Sequence, residues 1–237
     1  MTALHHTSPT EPAYRLDLGR TSAGFGVAFT LAQLVVMVCM ALVVLPHAGS
    51  PSDPALDRGQ RVLDAADLYR VGNYAFMISG TLLLGFLGAV QLRLRRVDRT
   101  GVLATTALVA GTLLVLIWPL GGLLHDVALE TAEGGTDLRI LAGWDAVAPF
   151  SLAFSALPRT FFLGALLLGL RAAGAPSRLV GTGVVCLVLG AVGSATLVSA
   201  ALFPVLALGT LAFELWVGAL AWHWWRRPLP QIAPDAA

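Results

Sequence analysis

The sequence predicts an all-α fold, a polytopic membrane bundle of six transmembrane helices with both termini in the cytoplasm and an outer amphipathic helix before the second span. Three observations carry this prediction. The 237-residue chain is 57% hydrophobic and 12% charged, with mean hydropathy +0.77, more apolar surface than a soluble core of ordinary proportions can hide. Six apolar runs each reach the roughly 20 residues that a helix needs to cross the hydrocarbon layer. The arginines, finally, collect at alternate ends of those runs.

The first run, residues 23–45, is longer than a secretory h-region and the 22 residues before it are too many for an n-region, so it reads as a retained helix. The others are 71–92, 101–120, 145–170, 179–203 and 205–225. Residues 1–22 and 228–237 are then tails flanking a single transmembrane domain, 23–227. Between the first two spans, Asp53 before Pro54 marks a helix start, and Leu56, Val62, Leu63, Ala66 and Tyr69 recur at helical spacing. The third span is expected to end at Trp118-Pro119-Leu120, followed by a flexible Gly-Gly break. The fifth and sixth are joined through Phe203-Pro204-Val205 alone, a tight hairpin with proline in the first turn of the next helix.

Orientation follows from charge. Arg15, Arg20, Arg93, Arg95, Arg96, Arg99, Arg171, Arg178, Arg226 and Arg227 lie on the side of the termini, whereas only Arg58, Arg61, Arg70 and Arg139 lie opposite. By the positive-inside rule the first side is cytoplasmic. Nine acids occupy the other side: Asp53, Asp57, Asp64, Asp67, Asp126, Glu130, Glu133, Asp137 and Asp145. Trp118, Trp144, Trp222, Trp224 and Trp225 fall near span ends, where interfacial anchors belong. Gly24, Ala28 and Ala32, and likewise Ala191, Ala195 and Ser199, repeat at four-residue spacing and predict close helix contacts. Cys39 and Cys186 fall at different membrane depths, which excludes a disulfide between them. All fifteen basic residues are arginine, pointing to a GC-rich bacterial source and an inner-membrane location, and the net charge of +1 gives no basis for a nucleic-acid partner.

The chemistry-bearing feature is charge at the midplane. Counted along their helices, Arg159, Glu214 and Gln33 each sit about 16 Å from the cytoplasmic boundary. An arginine at a helix centre costs about 3 kcal/mol on insertion scales, so a partner is expected, and Glu214 is the natural one, with Gln33 as a third. Pro158 frees the carbonyl of Phe154 as a further acceptor for the guanidinium, water or Ser155. Asp145, Ser155 and Arg159 share one face of the fourth helix, while Thr210 and Gly218 flank Glu214, which together describe a wall opening outward. The competing reading is a buried ion pair that only fixes which helices are neighbours.

Histidine spacing matches neither a helical zinc pair nor a membrane dihaem site, and no cofactor is indicated. A metal or catalytic role falls, if anywhere, on His125 and Asp126, converging with Asp145, Asp67 or His47.

The short basic tail before the first helix, the long outer loop leading into LYRVGNYAFMISGTLLLGFLGAVQLRLRR and the ending AFELWVGALAWHWWRR resemble a bacterial family of six-helix integral membrane proteins catalogued as a domain of unknown function. The resemblance covers about residues 20 to 227. It implies the fold and topology and transfers no catalytic residue. Three functional classes follow from the residues. One is binding or transport of a small anionic or lipid-like molecule at Arg159, Glu214, Gln33, Ser155 and Asp145. The second is a non-catalytic regulatory or partner subunit, associating through helix faces with another membrane protein or a second copy. The third is a membrane enzyme with an outer site at His125 and Asp126. Membrane lipids are partners in every case.

Overall fold

The computed structural model describes residues 17–39, 53–145 and 147–227. Eight α-helices occur among them: α1 (Leu18–Cys39), α2 (Ala55–Asp64), α3 (Ala66–Val97), α4 (Val102–Glu133), α5 (Leu138–Asp145), α6 (Val147–Ala172), α7 (Ser177–Ser194) and α8 (Phe203–Arg226). Six of them, α1, α3, α4, α6, α7 and α8, are long and apolar enough to cross a membrane, and the protein is a multi-pass membrane protein. Helix packing closes these six into a ring in chain order, with α8 returning against α1, while α3, α6 and α8 touch little across the middle. Large apolar side chains such as Leu31, Val35, Leu116 and Phe161 face outward, as lipid demands.

The ring is tied at defined points. Asp17 accepts a hydrogen bond from the Arg20 amide at 3.0 Å, and α1 opens five residues before the expected start. The Ser22 hydroxyl enters the backbone ladder of α3, donating to the Gly85 carbonyl and accepting from the Ala89 amide. Gly88 makes room for it, since a Cβ there would stand 3.0 Å from Ser22 Oγ. Asp98 accepts from the Leu103 amide at 2.7 Å and from Thr100, holding the turn into α4.

Several boundaries differ from expectation. α4 does not break after Trp118 but continues through Pro119 and both glycines to Glu133. Proline removes one backbone hydrogen bond, and a membrane helix tolerates it where a neighbouring helix packs closely. Here that neighbour is Gly80 of α3, whose Cβ would lie 2.9 Å from the Pro119 ring. α3 and α4 have 32 residues each, about 48 Å of helix, so they outreach a hydrocarbon layer of about 30 Å. α5 runs to Asp145 and α6 from Val147, and the residue between them, within the expected fourth span, lies outside the described residues. α7 stops at Ser194, and two short 3-10 turns, Ala195–Leu197 and Ala200–Leu202, lead to α8, so the hairpin is longer than Phe203-Pro204-Val205. Pro204 does sit in the first turn of α8. Ala191 and Ser199 are exposed, and the packing face of α7 is instead Gly183, Cys186, Gly190 and Gly193. On α1, Gly24 does lie against Trp225. Cys39 and Cys186 are both free thiols.

At the acidic end the protruding ends of α3 and α4 carry a cap made of α2 and α5. The amphipathic α2 leads into α3 through Ala65 as the sequence indicated, and the Asp53 carboxylate pairs with Arg61. Val62, Ala65, Ala66, Tyr69, Ala128, Leu129, Ala132 and Leu141 bury one another in a small core, and Arg58 donates to the Ala142 carbonyl at 3.2 Å. Arg70 binds Glu130 at 2.9 Å and Glu133 at 2.7 Å. Gly59 crosses α5 so closely that a Cβ would come 2.1 Å from the Leu138 carbonyl oxygen. Gly59→Ala should therefore lower stability by about 1–3 kcal/mol, the range for overpacking. Gly72→Ala, whose Cβ meets nothing within 4 Å, should be neutral or slightly stabilising. Equal thermal midpoints for the two variants in detergent would mean that the cap does not pack this way.

Candidate functional site

Most buried polar side chains of the spans lie on the inner surface of the ring. Thr30, Gln33, Ser79, His125, Ser155, Arg159, Thr210 and Glu214 are all buried. The periodicity that places them is clearest on α4, where Ala104, Ala107, Gly111, Leu114, Trp118, Gly121, His125, Ala128 and Ala132 follow three- and four-residue steps without interruption. Trp118 is thus no interfacial anchor. It is fully buried near the middle of its helix, within 6.2 Å centroid to centroid of Phe29, Phe76 and Phe213.

Arg159 enters this aromatic nest from α6. Its guanidinium carbon stands 5.5 Å from the Trp118 ring centre and 5.4 Å from that of Phe213, both cation–π distances. Nη1 donates to Thr210 Oγ1 at 2.7 Å and Nη2 to Ser155 Oγ at 2.9 Å. Each hydroxyl passes its own proton backward along its helix, Thr210 to the Leu206 carbonyl and Ser155 to the Leu152 carbonyl, at 2.8 and 2.6 Å. Both oxygens are therefore fixed as acceptors toward the arginine. Ser155 takes the Leu152 carbonyl rather than the one that Pro158 frees at Phe154.

The expected ion pair is not formed. Both Glu214 carboxylate oxygens are buried without a hydrogen-bond partner, and the guanidinium is held one turn away at Thr210. Glu214 is positioned through its backbone, whose carbonyl accepts from Thr30 Oγ1 at 2.8 Å, and Gly218 leaves the space that Thr30 fills. Gln33, one turn beyond Thr30, likewise has neither amide atom paired. With Arg159 Nε and Trp118 Nε1, six nitrogen and oxygen atoms on four side chains from four helices are unpartnered in the core. Three of these atoms are donors and three are acceptors, of both charges, at a depth where each unmet group costs several kcal/mol.

Asp145 lies apart from this centre. It faces His125 Nε2 at 3.5 Å at the acidic end, with side-chain exposure of 12%. The Tyr69 ring stacks on His125 at 4.8 Å, and its hydroxyl faces Asp145 outside hydrogen-bonding geometry. Asn73 Nδ2 donates to Asp126 at 2.6 Å and stands 3.4 Å from His125 Nδ1. Of the partners considered for His125, Asp145 is met, Asp67 turns to Arg70, and His47 lies outside the described residues. No group of three or more metal-type ligands assembles among the described residues.

The two sides of the centre differ. Toward the acidic end come Ser155, Thr210, Ser151 packed on Gly121, then Asn73, His125 and Tyr69. Toward the basic end the interior is filled by Leu83, Phe86, Leu87, Leu114, Leu166 and Leu220. Asn73 escapes the sequence reading, which assigns Tyr69 to the outer helix and Trp118 to the interface, although the unbroken α4 periodicity carries the signal for Trp118. The chain matches no protein-family model, no curated protein and no solved structure.

Thr210→Val removes the acceptor of Arg159 Nη1 and should cost about 1–3 kcal/mol. In a cycle with Arg159→Met the two losses should be non-additive by at least about 0.5 kcal/mol. Strict additivity in unfolding measurements would show that this hydrogen bond is not made.

Proposed function

We propose that this protein binds a small anionic or polar-headed molecule at the Arg159 centre and admits it from the acidic end. The observation that carries the reading is the set of six unpartnered atoms on Gln33, Trp118, Arg159 and Glu214, side chains at most 1% exposed. A pair kept only to join helices would place guanidinium and carboxylate in contact; here they stay apart, and each retains bonding capacity. Arg159 supplies a charged fork with a free Nε edge for a carboxylate or phosphate oxygen, while the Ser155 and Thr210 hydroxyls hold its plane. Polar residues on one side and an apolar plug on the other favour access from the acidic face. With arginine concentrated at the opposite end, that face is the outer one, in a bacterial inner membrane. The kinship with six-helix proteins of unknown function is part of the same proposal.

The test is a thermal-shift panel of small carboxylates, phosphates and single-chain lipids on the purified protein. A binder at about 100 times its Kd should add about 2.7 kcal/mol, and the shift should vanish in Arg159→Gln. Ser155→Cys, in a background lacking Cys39 and Cys186, should react with a membrane-impermeant thiol reagent applied to the acidic face. No shift with any class, no labelling, and a folded Arg159→Leu/Glu214→Leu protein that keeps its host phenotype would together favour the partner-subunit reading.

A further inference from the structure

A second feature lies at the opposite end of the ring and stands independently of the Arg159 reading. α3, α6 and α8, which are not neighbours around the ring, converge there on a recess of about 140 Å³ lined by Arg93, Arg96, Val97, Leu170, Ala173 and Trp224. Leu94 closes its floor against Gly169, where a Cβ would come within 2.1 Å of the leucine methyl. The walls are therefore mostly hydrocarbon, and the charged groups are two guanidinium heads one turn apart on α3.

Arg93 is already oriented. Nη2 donates to the Trp224 carbonyl at 3.1 Å and the Arg227 carbonyl at 2.7 Å, and the guanidinium stands 4.9 Å from the Trp224 ring centre. Both bonds run through Nη2, which leaves the other nitrogens of the fork for a second acceptor. The surroundings are predominantly positive. Among the described residues this end carries nine arginines, Arg20, Arg93, Arg95, Arg96, Arg99, Arg171, Arg178, Arg226 and Arg227, against the two carboxylates of Asp17 and Asp98. The recess also sits at the height where the spans end, the plane of lipid headgroups.

We infer that this recess binds the phosphate of an anionic phospholipid headgroup, with Arg93 and Arg96 taking its oxygens and Val97, Leu170 and Ala173 covering the adjoining glycerol. Two guanidiniums at a helix–helix crevice suit a tetrahedral oxyanion, since each can direct N–H donors at its oxygens. A basic pocket between spans at the headgroup level is where bilayer lipids present that group at high local concentration. The mixed character of the recess, charged at the rim and apolar in the walls, matches an amphiphile rather than a free ion.

The experiment uses the full chain in a neutral detergent, with phosphatidylglycerol, phosphatidylcholine, glycerol phosphate and inorganic phosphate added in separate arms. Native mass spectrometry counts bound lipid, and the thermal midpoint reports stabilisation. Phosphatidylglycerol should bind and raise the midpoint while phosphatidylcholine does neither. Arg96→Gln should weaken phosphatidylglycerol binding about tenfold. Ala173→Trp fills the recess from an exposed position without removing a charge, and it should abolish binding while leaving the lipid-free midpoint unchanged. Equal responses to the two lipids, or unchanged binding in both variants, would overturn the site. A response to glycerol phosphate or inorganic phosphate as large as that to phosphatidylglycerol would assign the recess to a soluble phosphate and overturn the lipid.

Discussion

A guanidinium that cannot reach water must be solvated by the protein itself, and in this molecule that requirement organises the bundle. Arg159 lies too deep to extend to either interface, so its charge is met by two hydroxyl oxygens and two aromatic faces. Those four partners come from α4, α6 and α8, and they are useful only if the helices stand at fixed rotations. Ser155 must lie one turn before the arginine, Thr210 must face it from α8, and Trp118 must reach the axis from α4. The hydroxyls are in turn locked by their own backbone acceptors. Specificity in the core thus rests on directional contacts, which lipid-like packing between apolar helices does not supply.

This explains the division of labour along the axis. The basic half is a conventional apolar interior, filled by leucine and phenylalanine, and it fixes spacing. The acidic half is lined by hydroxyls, an asparagine, a histidine and glycines, and it is roofed by helices that lie beyond the membrane because α3 and α4 are longer than the spans require. The roof has its own small core, so it is a structural layer and not a loose loop.

The sequence carried the number of spans, the amphipathic α2 and the common depth of Arg159, Glu214 and Gln33, because each depends only on helical rise and hydropathy. Their contacts depend on rotation about the helix axis, which is set by neighbours. Arg159 and Glu214 occupy one level but are not bonded, since Thr210, one turn from Glu214, meets the arginine first. Pro119 with two glycines reads locally as a break, yet Gly80 packs on the proline and lets the helix run on. That misreading moved Trp118 from the core to the interface. Asp145 shares an ideal-helix face with Arg159, yet it turns to His125 at the acidic end while Arg159 meets Thr210 and Ser155. On α7, alanine and serine at four-residue spacing imitate a packing face, but the glycines one step away are the ones that approach α8 and α6.

The ring is completed by its first and last members. The Thr30 bond to the Glu214 backbone, Gly26 against Ala221 and Gly24 against Trp225 all join α1 to α8. A chain inserted into the bilayer from its N-terminal side therefore holds α1 with Gln33 and Thr30 turned toward an unfinished seam until the final helix arrives. The sixth span is the keystone of the ring, since its seams to α1 and α7 close only when it is in place. The earliest helix can settle on α3 through Ser22, but its second seam waits on the longest sequence separation in the bundle.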